Sequence, residues 1–152
     1  MERNVVTKKI QKELIDAVKA KDKTRISTLR MLLSNLKNAE LEEREELTEE
    51  QEMAILASYA RRCKDSIDEF RKGGREDLVA KETAELEIVM TYLPEQLSDE
   101  QVKQEAKKVI EELGAAGPQD MGKVMSEMMK RFKGKVEGRV VSRLVSEMLK
   151  KG

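Results

Sequence analysis

Cys63 is the single thiol in this 152-residue sequence, and no histidine accompanies it. A thiol or hydroxyl nucleophile needs a base to take its proton, and histidine is both the commonest such base and the commonest metal ligand. Cys63 stands between Ala60 and Ile67 in a row of apolar residues three and four apart, the spacing of one buried helix face. These residues predict an inert structural thiol, with no catalytic residue, no metal site and no cofactor. Gly73 and Gly74 close a helical pattern and lack the spacing of a phosphate-binding loop.

The second group with usable chemistry is cationic: Lys123, Lys130, Arg131, Lys133, Lys135, Arg139 and Arg143. Lys130 to Lys135 bracket Gly134, and Arg139 and Arg143, four apart, share one helix face. Gly134 and Gly138 leave room for a sugar-phosphate backbone, and a helix starting near Gly138 presents free N–H groups to phosphate. The competing use of these cations is solvation and pairing with Glu127, Glu137 and Glu147. Phe132 is the one aromatic residue of this segment and falls in its apolar row, which leaves no platform for stacking splayed bases. The set therefore fits the backbone of a folded RNA better than a single strand, and DNA is not expected.

Methionine offers a different use of the same region. Met121, Met125, Met128, Met129 and Met148 are five of the nine methionines. Flexible methionines fill core gaps, and they also line adaptable grooves for partner helices. Met129 decides between the two, because it lies beside the apolar row and its exposure would favour a protein partner.

The elements that must position these groups are all helices. Glu, Lys, Leu, Ala, Met and Arg dominate, while aromatics make up only 3% of the chain. Val6, Ile10, Leu14 and Val18 recur every four residues over Asn4 to Ala20. Asp22 caps a second helix carrying Ile26, Leu29, Leu33 and Leu36. The acidic run Glu40 to Glu46 either extends that helix or connects it onward. Thr48 and Gln51 form a capping box ahead of Met53, Leu56, Ala60, Cys63, Ile67 and Phe70, and Gly73 and Gly74 end the pattern. Leu78, Leu86, Met90 and Leu93 make a fourth row, closed by Pro94. Ser98 and Gln101 repeat the box before Val102, Ala106, Val109, Ile110 and Leu113. Asp120 caps a short helix with Met121, Val124, Met125, Met128 and Phe132, and Val140, Val141, Leu144, Val145 and Met148 form the last. The pattern predicts an all-α chain: an N-terminal domain of about four helices over 1–94, then a three-helix domain over 95–152.

Two groups of short stretches carry a family resemblance. Asp120 to Met125, Phe132 to Lys135, and Arg139 to Val141 with Leu144 resemble the tail module of the B subunit of tRNA-dependent amidotransferases. Leu29 to Asn35 with Lys37 to Glu40, Arg62 with Lys64 to Ile67, and Tyr92 to Pro94 with Gln96 to Ser98 resemble the free-standing YqeY-like proteins of the GatB/YqeY family. That family implies an N-terminal helical domain followed by a three-helix tail-like domain. It also implies tRNA contact through the tail and a link to amidotransferase or aminoacyl-tRNA metabolism, whose glutaminase and carbon-nitrogen ligase parts are not carried here.

Charge is arranged in blocks. Residues 1–37 hold ten Lys/Arg against four Asp/Glu, 38–96 eight against seventeen, 97–120 three against six, and 121–152 nine against three. The basic N-terminal block, Lys8, Lys9, Lys12, Lys19, Lys21, Lys23, Arg25 and Arg30, reads as solvated helix surface. No run approaches the roughly 18 apolar residues of a membrane span. One unpaired thiol and no signal-peptide pattern lead to the expectation of a cytoplasmic protein. The reading is a non-catalytic accessory protein docking on structured RNA. Its alternatives are an adaptor for a protein partner in aminoacyl-tRNA metabolism and, behind that, a component of a glutamine-dependent amidotransferase.

Overall fold

A computed structural model describes the backbone of residues 2–151 and the side chains of residues 2–150. The ends of the two expected domains, Met1 and Gly152, lie outside the described residues. Among the described residues seven α-helices form: α1 Val5–Lys19, α2 Lys23–Glu43, α3 Glu49–Lys72, α4 Glu76–Met90, α5 Asp99–Leu113, α6 Met121–Arg131 and α7 Gly138–Lys151. A short 3-10 turn, Pro118–Asp120, precedes α6. The all-α expectation holds, with no strand among the described residues. The chain divides into two compact units at the Leu93–Pro94 junction.

In the first unit α1 packs on α2 and α3 on α4, while α2 also touches α3 and α4. Its core joins Val6, Ile10, Leu29, Leu32, Leu36, Leu47, Leu56, Ala60, Cys63 and Val89. Helix ends follow the expected chemistry. The Asp22 carboxylate accepts the Arg25 N–H at 3.1 Å. Thr48 Oγ accepts the Gln51 N–H at 3.1 Å while Gln51 Oε1 accepts the Thr48 N–H at 2.9 Å, closing the capping box. The acidic run splits between the two roles, since α2 continues through Glu43 and Arg44 then turns left-handed at φ 60°.

Three apolar rows differ from expectation, the row of α5 in that Leu113 is 43% exposed. Ala17, 2% exposed, takes the inward place that the four-residue spacing assigned to Val18, which is 47% exposed. Strict steps of four drift around a helix of 3.6 residues per turn. In α4 the most buried residues are Val79 and Val89, with Leu86 half-buried. The inward row therefore steps 79, 82, 86, 89 and carries Glu82 with it.

The second unit is a three-helix cluster around Val102, Ala106, Val109, Val124, Met128, Val141, Leu144, Val145 and Leu149. Ser98 and Gln101 close a second capping box, at 3.2 and 2.9 Å. Asp120 does not cap α6; its carboxylate turns back to accept the Ala116 N–H at 2.9 Å and holds the preceding turn.

Candidate nucleic-acid interface

The connection between α6 and α7 brings most of the expected cations together. The Phe132 N–H donates to the Met128 carbonyl at 3.0 Å, and the Lys135 N–H donates to the Phe132 carbonyl at 2.9 Å. Gly134 completes the reversal at φ +79°, where a Cβ would be strained. The turn is also pinned from the segment before α5: the Leu97 N–H donates to the Lys135 carbonyl at 2.9 Å, and Gln96 Nε2 donates to the Gly134 carbonyl at 2.6 Å. With its carbonyls held this way, the turn presents Lys133 and Lys135 outward, both exposed, between exposed Lys130 and exposed Arg139.

The cations are not equivalent. Among the described residues, Lys123, Lys130 and Lys135 are exposed and form no ion pair. Arg131 bridges Glu127 at 2.8 Å and Glu112 at 2.5 Å, so it ties α6 to α5. Hydrogen bonds from Arg131 hold the Glu112 carboxyl below its usual range. Arg139 pairs with Glu137 at 3.5 Å, and Arg143 with Asp99 at 3.1 Å, at the start of α5. Of the acids expected to compete, Glu127 and Glu137 do so, whereas Glu112 and Asp99 were missed because they come from a different helix. Lys123 stands two turns back along α6, roughly 10 Å from Lys130, outside the turn cluster.

Gly138 is half-buried, and its Cβ direction faces Met129 Cε at 3.9 Å, so this glycine opens toward α6. The Val140 and Val141 N–H groups both donate to the Glu137 carbonyl at 3.1 Å, which occupies part of the helix N-terminus. Met128 is fully buried, and Met121, Met125, Met129 and Met148 all pack partly buried against the core. Met129 is thus not the exposed residue that a methionine-lined partner groove required.

Two polar clusters in the first unit escaped the sequence reading. Cys63, 3% exposed, lies with half-buried Glu82 and Glu85 so that one ligand atom of each falls within 4.8 Å of the others. Burial and the charges of both glutamates push the thiol up to about 12. Burial, the charge of Glu82 and a hydrogen bond to it raise the Glu85 carboxyl. In the second cluster, Glu13 Oε2 accepts from Arg25 at 3.1 Å and from the Tyr92 hydroxyl at 3.3 Å. Burial, then the Glu13 charge, push that phenol up to about 12. Lys9 sits 5.7 Å from the centre of the same ring. Within the basic block, Lys9 thus meets Tyr92 and Arg25 meets Glu13, while the other cations of the block are exposed.

The model of the family described as "Yqey-like protein" matches residues 7–149, nearly the whole chain. The chain belongs to the Yqey-like family. Among relatives of this Yqey-like chain are fungal proteins named "Altered inheritance of mitochondria protein 41, mitochondrial". The protein of Pyrenophora tritici-repentis is 29% identical over 134 residues, spanning 87% of this chain and 74% of its own length. That of Lachancea thermotolerans is 34% identical over 112 residues, 72% of this chain and 60% of its own. That of Vanderwaltozyma polyspora is 37% identical over 87 residues, 55% of this chain and 46% of its own. The match thus spans from about half to three quarters of the length of these relatives.

These names overturn the expected cytoplasmic location, because the relatives are named as mitochondrial proteins. A single free thiol indicates a reducing compartment without saying which. No helix among the described residues is long and apolar enough to cross a membrane.

Proposed function

We propose that this Yqey-like chain is an accessory protein that docks on the phosphate backbone of a structured RNA, tRNA first among them, through the α6–α7 turn of its second unit. The observation that supports this is the pinned Gly134 turn, which holds exposed Lys133 and Lys135 between Lys130 and Arg139. A rigid cationic turn binds phosphate with less ordering cost than free surface lysines. Candidate contacts are Lys130, Lys133, Lys135 and Arg139, with Gly134 shaping the approach. Arg131 and Arg143 act mainly as ties to α5. The mitochondrial setting of the relatives is the setting to test for this chain.

The experiment is a mobility shift of tRNA by wild type and by Lys130→Glu plus Lys135→Glu, with circular dichroism to check folding. Neither lysine forms an ion pair among the described residues, so the pair of changes leaves the fold's contacts intact. Retarded tRNA with wild type and none with the double variant supports the reading; equal retardation by both removes it.

A second reading, a protein adaptor, draws on the first unit instead of the methionines of the second. Val18 and Met31 are exposed, and with Ile26 they line an open recess of about 550 Å³ that also bears Lys23 and Arg30. Capture of a defined partner that a Met31→Asp variant loses would favour it.

A further inference from the structure

Helix α4 carries a carboxylate in its inward row. Val79, Glu82, Leu86 and Val89 follow one another at steps of three and four, and Val79 and Val89 are buried. Glu85, one turn from Glu82, faces the same side. Across the interface α3 contributes Cys63 from its own buried row, between Ala60 and Ile67. A thiol and two carboxylates are thus directed at one point from two packed helices.

Hydrogen bonds to Glu82 from the thiol and from Glu85, with Arg62 and Lys81 nearby, balance them in part. The recess they share, about 300 Å³, is otherwise lined by Met31, Tyr59, Arg62 and Ser66. Among the described residues Arg62 is the one cation in its lining, and that guanidinium lies over the Tyr59 ring, 5.5 Å from its centre. The thiol is 97% covered, yet it lines this recess together with the glutamates. Two half-buried carboxylates this close repel each other unless a proton or a cation lies between them.

We propose that Cys63, Glu82 and Glu85 bind one divalent transition-metal ion of zinc-like character. One ligand atom from each residue already lies within 4.8 Å of the other two. Ligand atoms about 2.0–2.3 Å from a shared zinc ion stand less than 4.8 Å apart, so closure needs only side-chain adjustment. The mixed sulfur and oxygen donors select a borderline-soft ion over magnesium or calcium, which take oxygen ligands alone. Three protein ligands leave the fourth tetrahedral position to water. Binding releases the thiol proton to solvent as the thiolate–metal bond forms. The site lies wholly in the first unit and is independent of the RNA-docking reading.

Cobalt(II) is the probe, because a thiolate ligand gives it a near-ultraviolet charge-transfer band and four-coordination intensifies its visible bands. Full-length metal-free protein is titrated with cobalt under reducing conditions, then with zinc. The expected result is saturation at one equivalent with both sets of bands, and loss of both on adding zinc. Cys63→Ser should abolish the charge-transfer band, and Glu82→Gln and Glu85→Gln should each weaken affinity by at least about tenfold. The glutamine variants keep side-chain size, and circular dichroism verifies their fold. Absence of a thiolate band with folded wild type, or unchanged binding by both glutamine variants, overturns the site.

Discussion

Glu52, fully buried at the start of α3, closes the N-terminus of α1 by accepting the Thr7 backbone N–H at 2.6 Å. The same carboxylate accepts the Thr7 hydroxyl at 2.6 Å and the Val6 N–H at 3.2 Å. Beside it, Asn4 and Leu47 exchange two hydrogen bonds: the Asn4 N–H donates to the Leu47 carbonyl and the Leu47 N–H donates to Asn4 Oδ1, each at 2.9 Å. An anion at a helix N-terminus satisfies donors that have no partner within the helix and complements the helix dipole. This contact fixes the first helix to the third. Glu52→Ala leaves three buried donors unsatisfied and should cost about 2–4 kcal/mol in chemical denaturation, with Glu52→Gln costing less. A loss under about 0.5 kcal/mol, the scale of an ordinary surface change, would show that the lock is not structural.

Cys63 should be chemically inert in metal-free folded protein. Its thiol is lifted from 9.0 to about 12 by burial and by Glu82 and Glu85, so almost no thiolate exists at pH 8. Alkylation at that pH should proceed only as fast as the chain opens, and denaturant should release it. Rapid labelling of native protein would contradict the described burial.

Alkaline stability carries the same signature. Cys63 rises from 9.0 and Tyr92 from 10.0, each to about 12, in the folded state. Above pH 9 the unfolded chain therefore gives up protons that the folded chain retains, and stability falls with rising pH until about pH 12. Below pH 9 these groups contribute no slope. Cys63→Ala should flatten the early part of the decline, measured as denaturation midpoint against pH, and Tyr92→Phe the part beginning near pH 10.

Gly134 should resist substitution. Gly134→Ala forces a Cβ into the left-handed region at φ +79°, at a cost of about 1–2 kcal/mol. Relief of that strain would loosen the turn that Gln96 holds. Calorimetry should show a lowered melting point together with weaker RNA binding, whereas Gly122→Ala, within helix α6 and meeting nothing within 4 Å, should leave binding unchanged and not lower the melting point.

The features visible in the sequence are those contained in a single helix. Capping boxes at Thr48 and Ser98, the Asp22 cap, and the left-handed stops at Gly74 and Gly114 involve residues only a few positions apart. Glu52 reads as one more acid in an acidic run, because its burial depends on α1 docking 45 residues away in the chain. The same holds for Arg131 with Glu112, Arg143 with Asp99, and Cys63 with Glu82. Periodicity reports which face of a helix is apolar, but it does not report which neighbour that face meets. The cationic turn was visible from its residue types. What was not visible was the anchoring by Gln96 and Leu97, or which arginines are committed to ion pairs.

The most direct measurement is the salt dependence of tRNA affinity for wild type and for Lys130→Gln plus Lys135→Gln. Logarithmic affinity should fall linearly with logarithmic salt, and the double variant should bind more weakly with its slope reduced by about two units, roughly one per lost phosphate contact. No binding by folded wild type at low salt, or a slope unchanged by the two substitutions, would contradict RNA docking at the α6–α7 turn.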